Sequence, residues 1–178
     1  MTVLEPIEHT NRDFVGSLAK GCRVLSAFNN GMEKMTVSDV AKLTELSRAG
    51  ARRLLLTLHA LGYMHSDGKY YSLSPKVLEL GFSYLSSQNW LVLSSPILER
   101  LREELDEAVS VTVLKETDVV YVARFQTDRV MTMAMEIGSQ RPAYCTAMGR
   151  VLLGALPQTK AREVLLASDL KSYTPHTL

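Results

Sequence analysis

The sequence lacks most of what a secreted, membrane-spanning or metal-bound protein needs. Its two cysteines, Cys22 and Cys145, lie far apart and in no ligand spacing, which excludes a disulfide framework and a zinc site. Both are expected as reduced thiols, with no metal and no cofactor. No apolar run approaches the roughly 20 residues a bilayer-spanning helix requires. The opening stretch, MTVLEPIEHTNRDF, has neither the basic nor the apolar region of a secretion signal. The expected location is therefore the cytoplasm, without a membrane partner. Charge of one sign is also scarce: the net charge is +1, so the chain as a whole is not a polycation. Internal repeats and low-complexity segments are missing as well.

What is present is ample apolar material. Of 178 residues, 46% are hydrophobic and 22% charged, which is the balance of a folded globular chain. A domain holds roughly 100 to 150 residues, so one or two are possible. Charge, balanced overall, is uneven locally. Between Leu46 and Lys76 the basic residues are Arg48, Arg52, Arg53, Lys69 and Lys76, against the single acid Asp67. A basic patch inside a balanced chain is the footprint of a module that meets phosphates.

The pattern around that patch predicts its scaffold. Residues up to Asp13 are polar and aperiodic and read as a mobile arm. From Ser17 to Phe28, Leu18, Cys22, Leu25 and Phe28 recur at helical spacing, predicting a first helix with these residues in the core. Thr36 and Asp39 have the spacing of a capping box that opens a short second helix through Leu43. After Thr44-Glu45-Leu46, Ser47 can cap a third helix whose Ala51, Leu54, Leu55, Leu58 and Leu61 form an apolar stripe ending at Gly62. Tyr63–His65 and Tyr70–Leu73 read as strands joined across Asp67-Gly68, a hairpin that forms a wing beside the helix-turn-helix. Ser74-Pro75 opens a further helix with Leu80 and Tyr84 on its apolar side.

Beyond an interruption at Ser86–Asn89 the pattern changes. A helix near Pro96 carries Ile97, Leu101, Leu105 and Ala108 inward. Strands at Val109–Val113 and Val119–Phe125, and a third carrying Met131, Met133, Met135 and Ile137 on one face, suggest an antiparallel meander. Helices follow at about Thr146 to Leu156 and Lys160 to Ala167. The fold class is α+β: a winged helix-turn-helix over residues 14–75, a linker helix over 76–92 and a second domain over 93–178.

On the third helix, Arg48 and Arg52 are four residues apart and leave one face, away from the leucines. An α-helix fits the major groove, where an arginine reads guanine through paired hydrogen bonds worth about 1 to 3 kcal/mol of discrimination. These two are the expected base readers. Ser47, Arg53, Thr57 and Lys69 are placed for phosphates. Three arginines on a solvated face can also serve solubility alone, but here helix, turn, cap, hairpin and charge agree.

The motifs Ser17-Leu18-Ala19-Lys20-Gly21, Arg48-Ala49-Gly50-Ala51-Arg52-Arg53-Leu54, Leu61-Gly62-Tyr63, Ile137-Gly138-Ser139 and Pro142-Ala143-Tyr144-Cys145-Thr146-Ala147-Met148-Gly149-Arg150 resemble the IclR family of bacterial regulators. Ala51-Arg52-Arg53 with Tyr84-Leu85-Ser86-Ser87 and Ala143-Tyr144-Cys145-Thr146 is most similar to the branch controlling aromatic-acid catabolism, the protocatechuate or β-ketoadipate regulators. The resemblance implies a C-terminal GAF-like α/β effector domain and a homodimer or tetramer on a palindromic double-stranded DNA operator. It further implies a small organic acid effector meeting Ala147 and Met148 beside an apolar wall that includes Met133. Arg141 departs from the family, which has an apolar residue there; it either alters the pocket wall or points to solvent. The sequence also stops at Leu178, where family members continue through further strands, so the effector domain reads as partial, truncated or shortened. A constitutive DNA-binding and dimerisation module without ligand sensing is the alternative.

The residues support an anion site on their own chemistry. Thr146 can cap the following helix, whose first N–H groups, at Ala147, Met148 and Gly149, face a carboxylate with the positive end of the dipole. Gly149 leaves room for close backbone approach. A methionine stripe and a threonine cap are equally features of ordinary cores and helix starts. Cys145 suggests a thiol nucleophile with His65 or His176 as base; with no histidine adjacent in sequence, a packed thiol is favoured and no catalytic residue is expected.

Overall fold

Residues 12–127, 135–175 and 177 are described by the computed structural model. The chain divides into two units, Met1–Tyr84 and Leu85–Leu178.

In the first unit α1 (Gly16–Ser26) runs into a 3-10 turn, Ala27–Asn30, closed by Gly31 at φ 83°. A two-residue strand, β1 (Met35–Thr36), leads directly into α2 (Val37–Thr44). The predicted capping box is present: the Thr36 hydroxyl accepts the Asp39 N–H at 3.3 Å, and the Asp39 carboxylate accepts the Thr36 N–H at 2.9 Å. The Thr36 hydroxyl also donates to the Asp39 carboxylate at 2.7 Å, and that bond first, then the one from the Thr36 N–H, holds the Asp39 carboxyl below the ordinary carboxylate range. Glu45, left-handed at φ 56°, turns the chain into α3 (Arg48–Ala60), where the Ser47 hydroxyl accepts the Gly50 N–H at 3.1 Å. The hairpin follows as β2 (Met64–Ser66) and β3 (Tyr70–Leu73), and β1 adds to its other edge in the order β1-β3-β2.

Val24, Met35, Val40, Ala51 and Leu55 are fully buried in the core of this unit, joined by Phe28, Leu58, Met64 and Tyr71. Loss of the Leu55 side chain to alanine would cost about 2 to 5 kcal/mol. The predicted α1 stripe is corrected here. Leu18 is 66% exposed and Cys22 is exposed, while Val24, outside that stripe, is the helix's buried residue. Leu61 is likewise 55% exposed.

One linker helix is expected over 76–92, but two are found. A 3-10 turn, Pro75–Val77, precedes α4 (Leu78–Ser87), and α5 (Asn89–Leu105) begins after Gln88, whose φ −91° and ψ 76° are not helical. α5 continues through Pro96; the Ser94 and Ser95 hydroxyls both donate to the Leu91 carbonyl, in the turn that the proline disrupts. The inward stripe predicted for this helix is also corrected: Ile97, Leu101 and Leu105 are 61%, 39% and 58% exposed, Ala108 is exposed, and Leu91 is the buried anchor.

The second unit contains an antiparallel sheet, β4 (Val109–Lys115), β5 (Asp118–Phe125) and β6 (Gln140–Pro142), in that spatial order, with a bulge between Val111 and Thr112. The predicted third strand differs. Met131 and Met133 lie outside the described residues, Met135 and Ile137 are not in a strand, and β6 takes the place beside β5. α6 (Ala147–Gly154) and α7 (Gln158–Ala167) follow. One cluster joins Leu91 to Val122 and Ala123, and another joins Val119, Ala143 and Leu153. No helix among the described residues is long and apolar enough to cross a membrane.

Candidate nucleic-acid interface

The core residues of α3 orient its charges. Ala51, Leu55 and Leu58 bury one side, so Arg48, Arg52 and Arg53 are all exposed. No acidic residue occupies the first turn of α3, which leaves its positive end unneutralised by its own side chains. The Ser47 hydroxyl is exposed at that end; it accepts from Gly50 and retains its hydrogen to donate. Thr57 is exposed too, but its hydroxyl donates to the Arg53 carbonyl at 2.8 Å, so its hydrogen is already engaged within the helix.

The wing is built by Asp67. Its carboxylate accepts the N–H groups of Tyr70 at 2.8 Å and Lys69 at 3.0 Å, closing the turn around Gly68 at φ 96°. These two backbone bonds, Tyr70's the larger, lower the Asp67 carboxyl below its ordinary range. Lys69 projects at the tip with its ammonium 5.0 Å from the centre of the Tyr70 ring. Lys76, part of the same basic patch in the sequence, turns instead to the end of α3, where its ammonium donates to the Leu61 carbonyl at 3.0 Å. Sequence reasoning gave Lys76 no role; 15 residues separate the pair, and no local pattern signals the contact.

A groove of about 1060 Å³ lies between α1 and α3, lined by Leu18, Cys22, Leu25, Leu54 and Leu61, with Ser47, Arg53 and Thr57 also on its walls. The exposed Leu18, Cys22 and Leu61 all line this one groove.

The residues expected at an effector site are partly assembled. Thr146 caps α6 by accepting the Gly149 N–H at 3.2 Å, and donates to the Pro142 carbonyl at 3.0 Å. Ala147 is exposed, while Met148 is half-buried against the cluster of Val119, Ala143 and Leu153. Gly149 departs from the expectation in two respects: its N–H is taken by Thr146, and the space a side chain would fill is occupied by the Ala143 backbone. Met133 and His176 lie outside the described residues. Arg141 is exposed and donates to the Gln140 carbonyl at 2.8 Å, which turns it to solvent. Cys145 is half-buried, its Sγ 3.9 Å from the Pro142 carbonyl. Among the described residues no group of acidic, histidine or cysteine side chains could hold a metal ion.

A capped helix-turn-helix with an arginine-bearing second helix and a hairpin beside it defines the winged-helix class, here followed by an α+β unit. Residues 17–68 match the IclR helix-turn-helix domain, and residues 82–178 match the bacterial transcriptional regulator IclR C-terminal domain. The chain belongs to the IclR family of bacterial transcriptional regulators. It is similar to the Pca regulon regulatory protein of Pseudomonas putida, 44% identical over 167 residues, covering 93% of this chain and 57% of that protein. The p-hydroxybenzoate hydroxylase transcriptional activator of Acinetobacter baylyi is 37% identical over 176 residues, covering 96% of this chain and 65% of its own. A crystal structure of an IclR family transcriptional regulator from Brucella abortus is 30% identical, with a TM-score of 0.75 over 92% of this chain and 62% of that one. The chain thus spans less than two thirds of the length of each of these relatives.

Proposed function

We propose that the protein is a cytoplasmic, sequence-specific DNA-binding transcriptional regulator that responds to a small carboxylate of aromatic catabolism, and is not an enzyme. The observation that carries the DNA-binding half is the outward presentation of Arg48, Arg52 and Arg53 on a helix held from behind by Ala51, Leu55 and Leu58. Arg48 and Arg52 read base edges in the major groove, and Arg53, Ser47 and Lys69 bind phosphates, with Thr57 a weaker contributor because its hydroxyl hydrogen is already used. The regulator binds a palindromic site as a homodimer. The apolar α1–α3 groove, and the exposed Leu78 and Phe82 of α4, support a second copy as what covers them.

The carboxylate reading rests on the α6 start, where Ala147 and Met148 follow the Thr146 cap with Gly149 behind them, and on similarity to proteins named for the Pca and p-hydroxybenzoate systems. Met133 is carried to the same site by family resemblance alone.

Duplexes enriched from a random-sequence pool by this chain provide the DNA test. Fluorescence anisotropy is expected to give salt-sensitive, sequence-selective binding that Arg52→Ala weakens and makes less selective. Binding identical in the variant would remove Arg52 from the reading surface. Calorimetry with protocatechuate, 4-hydroxybenzoate and β-ketoadipate tests the effector; heat from none of them favours a regulator that binds DNA without this signal.

A further inference from the structure

The C-terminus of α3 is closed by an unusually complete set of hydrogen bonds. Gly62, at φ 82°, lets the Tyr63 N–H reach the Leu58 carbonyl at 2.9 Å and its own N–H reach the His59 carbonyl at 2.9 Å, a Schellman ending. Three further carbonyls, of Leu61, Gly62 and Tyr63, point past the helix. All three are taken by the segment that follows the wing. The Lys76 ammonium donates to Leu61 at 3.0 Å, the Ser74 hydroxyl donates to Gly62, and the Ser74 N–H donates to Tyr63 at 2.9 Å.

Lys76 is held from other sides as well. Its ammonium lies 5.1 Å from the centre of the Tyr63 ring, and its chain passes over Gly62, where an added Cβ would meet the Lys76 Cδ at 3.6 Å. A cation at the C-terminal end of a helix is favoured by the helix dipole. Ser74 is 6% exposed, and its hydroxyl also accepts the Lys76 N–H at 3.2 Å, so the two residues form one unit.

We propose that Lys76 and Ser74 are positioning residues for the recognition helix: they latch its C-terminal end to the turn that opens α4, and Lys76 is not a phosphate ligand despite lying in the basic patch. The inference rests on α3 being the DNA-reading helix. With the latch closed, the angle at which Arg48 and Arg52 meet the groove is fixed by the chain on both sides of the wing. Without it, α3 is held at that end by its own Schellman bonds, by the contact of His59 Nδ1 with the Met64 carbonyl at 2.9 Å and by core packing.

The test uses the full chain, a duplex that it enriches from a random pool, and poly(dI-dC) as nonspecific competitor. Lys76→Met keeps the aliphatic stem and loses the ammonium. It is expected to weaken specific binding roughly two- to five-fold, the scale of one helix-end charge, with the salt slope unchanged and poly(dI-dC) binding unaltered. Lys76→Arg, which can still donate to Leu61, is expected to restore most of the specific affinity. A salt slope lowered by about 0.9, the signature of one lost phosphate contact, would overturn the proposal, as would Lys76→Met binding like the parent. Amide exchange at Gly62 and Tyr63, followed by NMR, is independent of DNA: it is expected to quicken in Lys76→Met and Ser74→Ala. Unchanged exchange in both would also overturn the latch. Failure of the parent chain to select any duplex would count against the DNA-binding reading and leave the exchange result to decide the latch.

Discussion

Gly149 packs so closely on the backbone of Ala143 that no side chain fits between them. Ala143 is fully buried and Gly149 is buried, so the approach of α6 to the segment after β6 is set at this point. Gly149→Ala would place a methyl group into backbone that has no slack, a case of overpacking that costs typically about 1 to 3 kcal/mol and more when nothing can move. Trp90, the chain's only tryptophan, lies in the same unit and reports its unfolding. Urea denaturation followed by Trp90 fluorescence is expected to shift to lower denaturant in the variant; a midpoint equal to the parent's would mean that α6 can slide away.

A second fastening in that unit joins residues 27 apart: the Tyr144 hydroxyl donates to the Lys171 carbonyl at 2.6 Å and accepts the Lys171 N–H at 2.7 Å. Burial, the largest influence on Tyr144, raises its hydroxyl pKa above the ordinary value, so it stays protonated and able to donate at neutral pH. Tyr144→Phe keeps the ring and strands both backbone groups of Lys171. Each lost bond is worth about 0.5 to 1.5 kcal/mol, and faster amide exchange at Lys171 is the expected local sign. Exchange matching the parent's would show that the hydroxyl is dispensable.

The contrast between these contacts and the helix-turn-helix marks what a sequence discloses. Thr36 with Asp39, Ser47 before α3 and Asp67-Gly68 in the wing are local patterns whose chemistry is complete within four residues, and each is legible before any fold is known. The α1 stripe of Leu18, Cys22, Leu25 and Phe28 is legible only as an apolar face. Periodicity does not say what covers that face: Phe28 is buried in the core and Leu25 packs against it, while Leu18 and Cys22 are exposed along an open groove. β1 is two residues long, too short for an alternation to register, and exists because Met35 and Thr36 pair with Tyr71 and Tyr70. Lys76 with Leu61 and Tyr144 with Lys171 are contacts across distance in the chain, set by tertiary packing alone. At the effector site, the cap at Thr146 is readable, but the use of Gly149 for packing is not.

Acid should loosen the first unit through Asp39. Its carboxyl is held below the ordinary value by the Thr36 hydroxyl and N–H, so the folded state binds this proton less readily than the unfolded chain does. The stabilisation is therefore present above the unfolded pKa, near 3.9, and is lost as pH falls through the lower folded value. Asp39→Asn cannot carry this dependence. Thermal unfolding from pH 7 to pH 3 is expected to show the parent more stable at neutral pH, with the gap to Asp39→Asn narrowing in the acid range. A gap that stayed constant with pH would show that charge on Asp39 adds nothing to the cap.

The α1–α3 groove permits a separation of folding from assembly. Leu18 is 66% exposed and lines the groove, so Leu18→Glu removes little from the core of the chain that carries it. Exposed substitutions of this kind usually fall within about 0.5 kcal/mol. If a second copy covers the groove, the same change buries an unpaired carboxylate at the contact and is heavily penalised there. Sedimentation velocity is expected to show Leu18→Glu shifted to the monomer, with thermal unfolding at low concentration close to the parent's and affinity for a palindromic duplex reduced more than for a half-site. A variant that sediments as the parent does would place the dimer contact elsewhere, and one that fails to fold would mean that Leu18 supports the monomer despite its exposure.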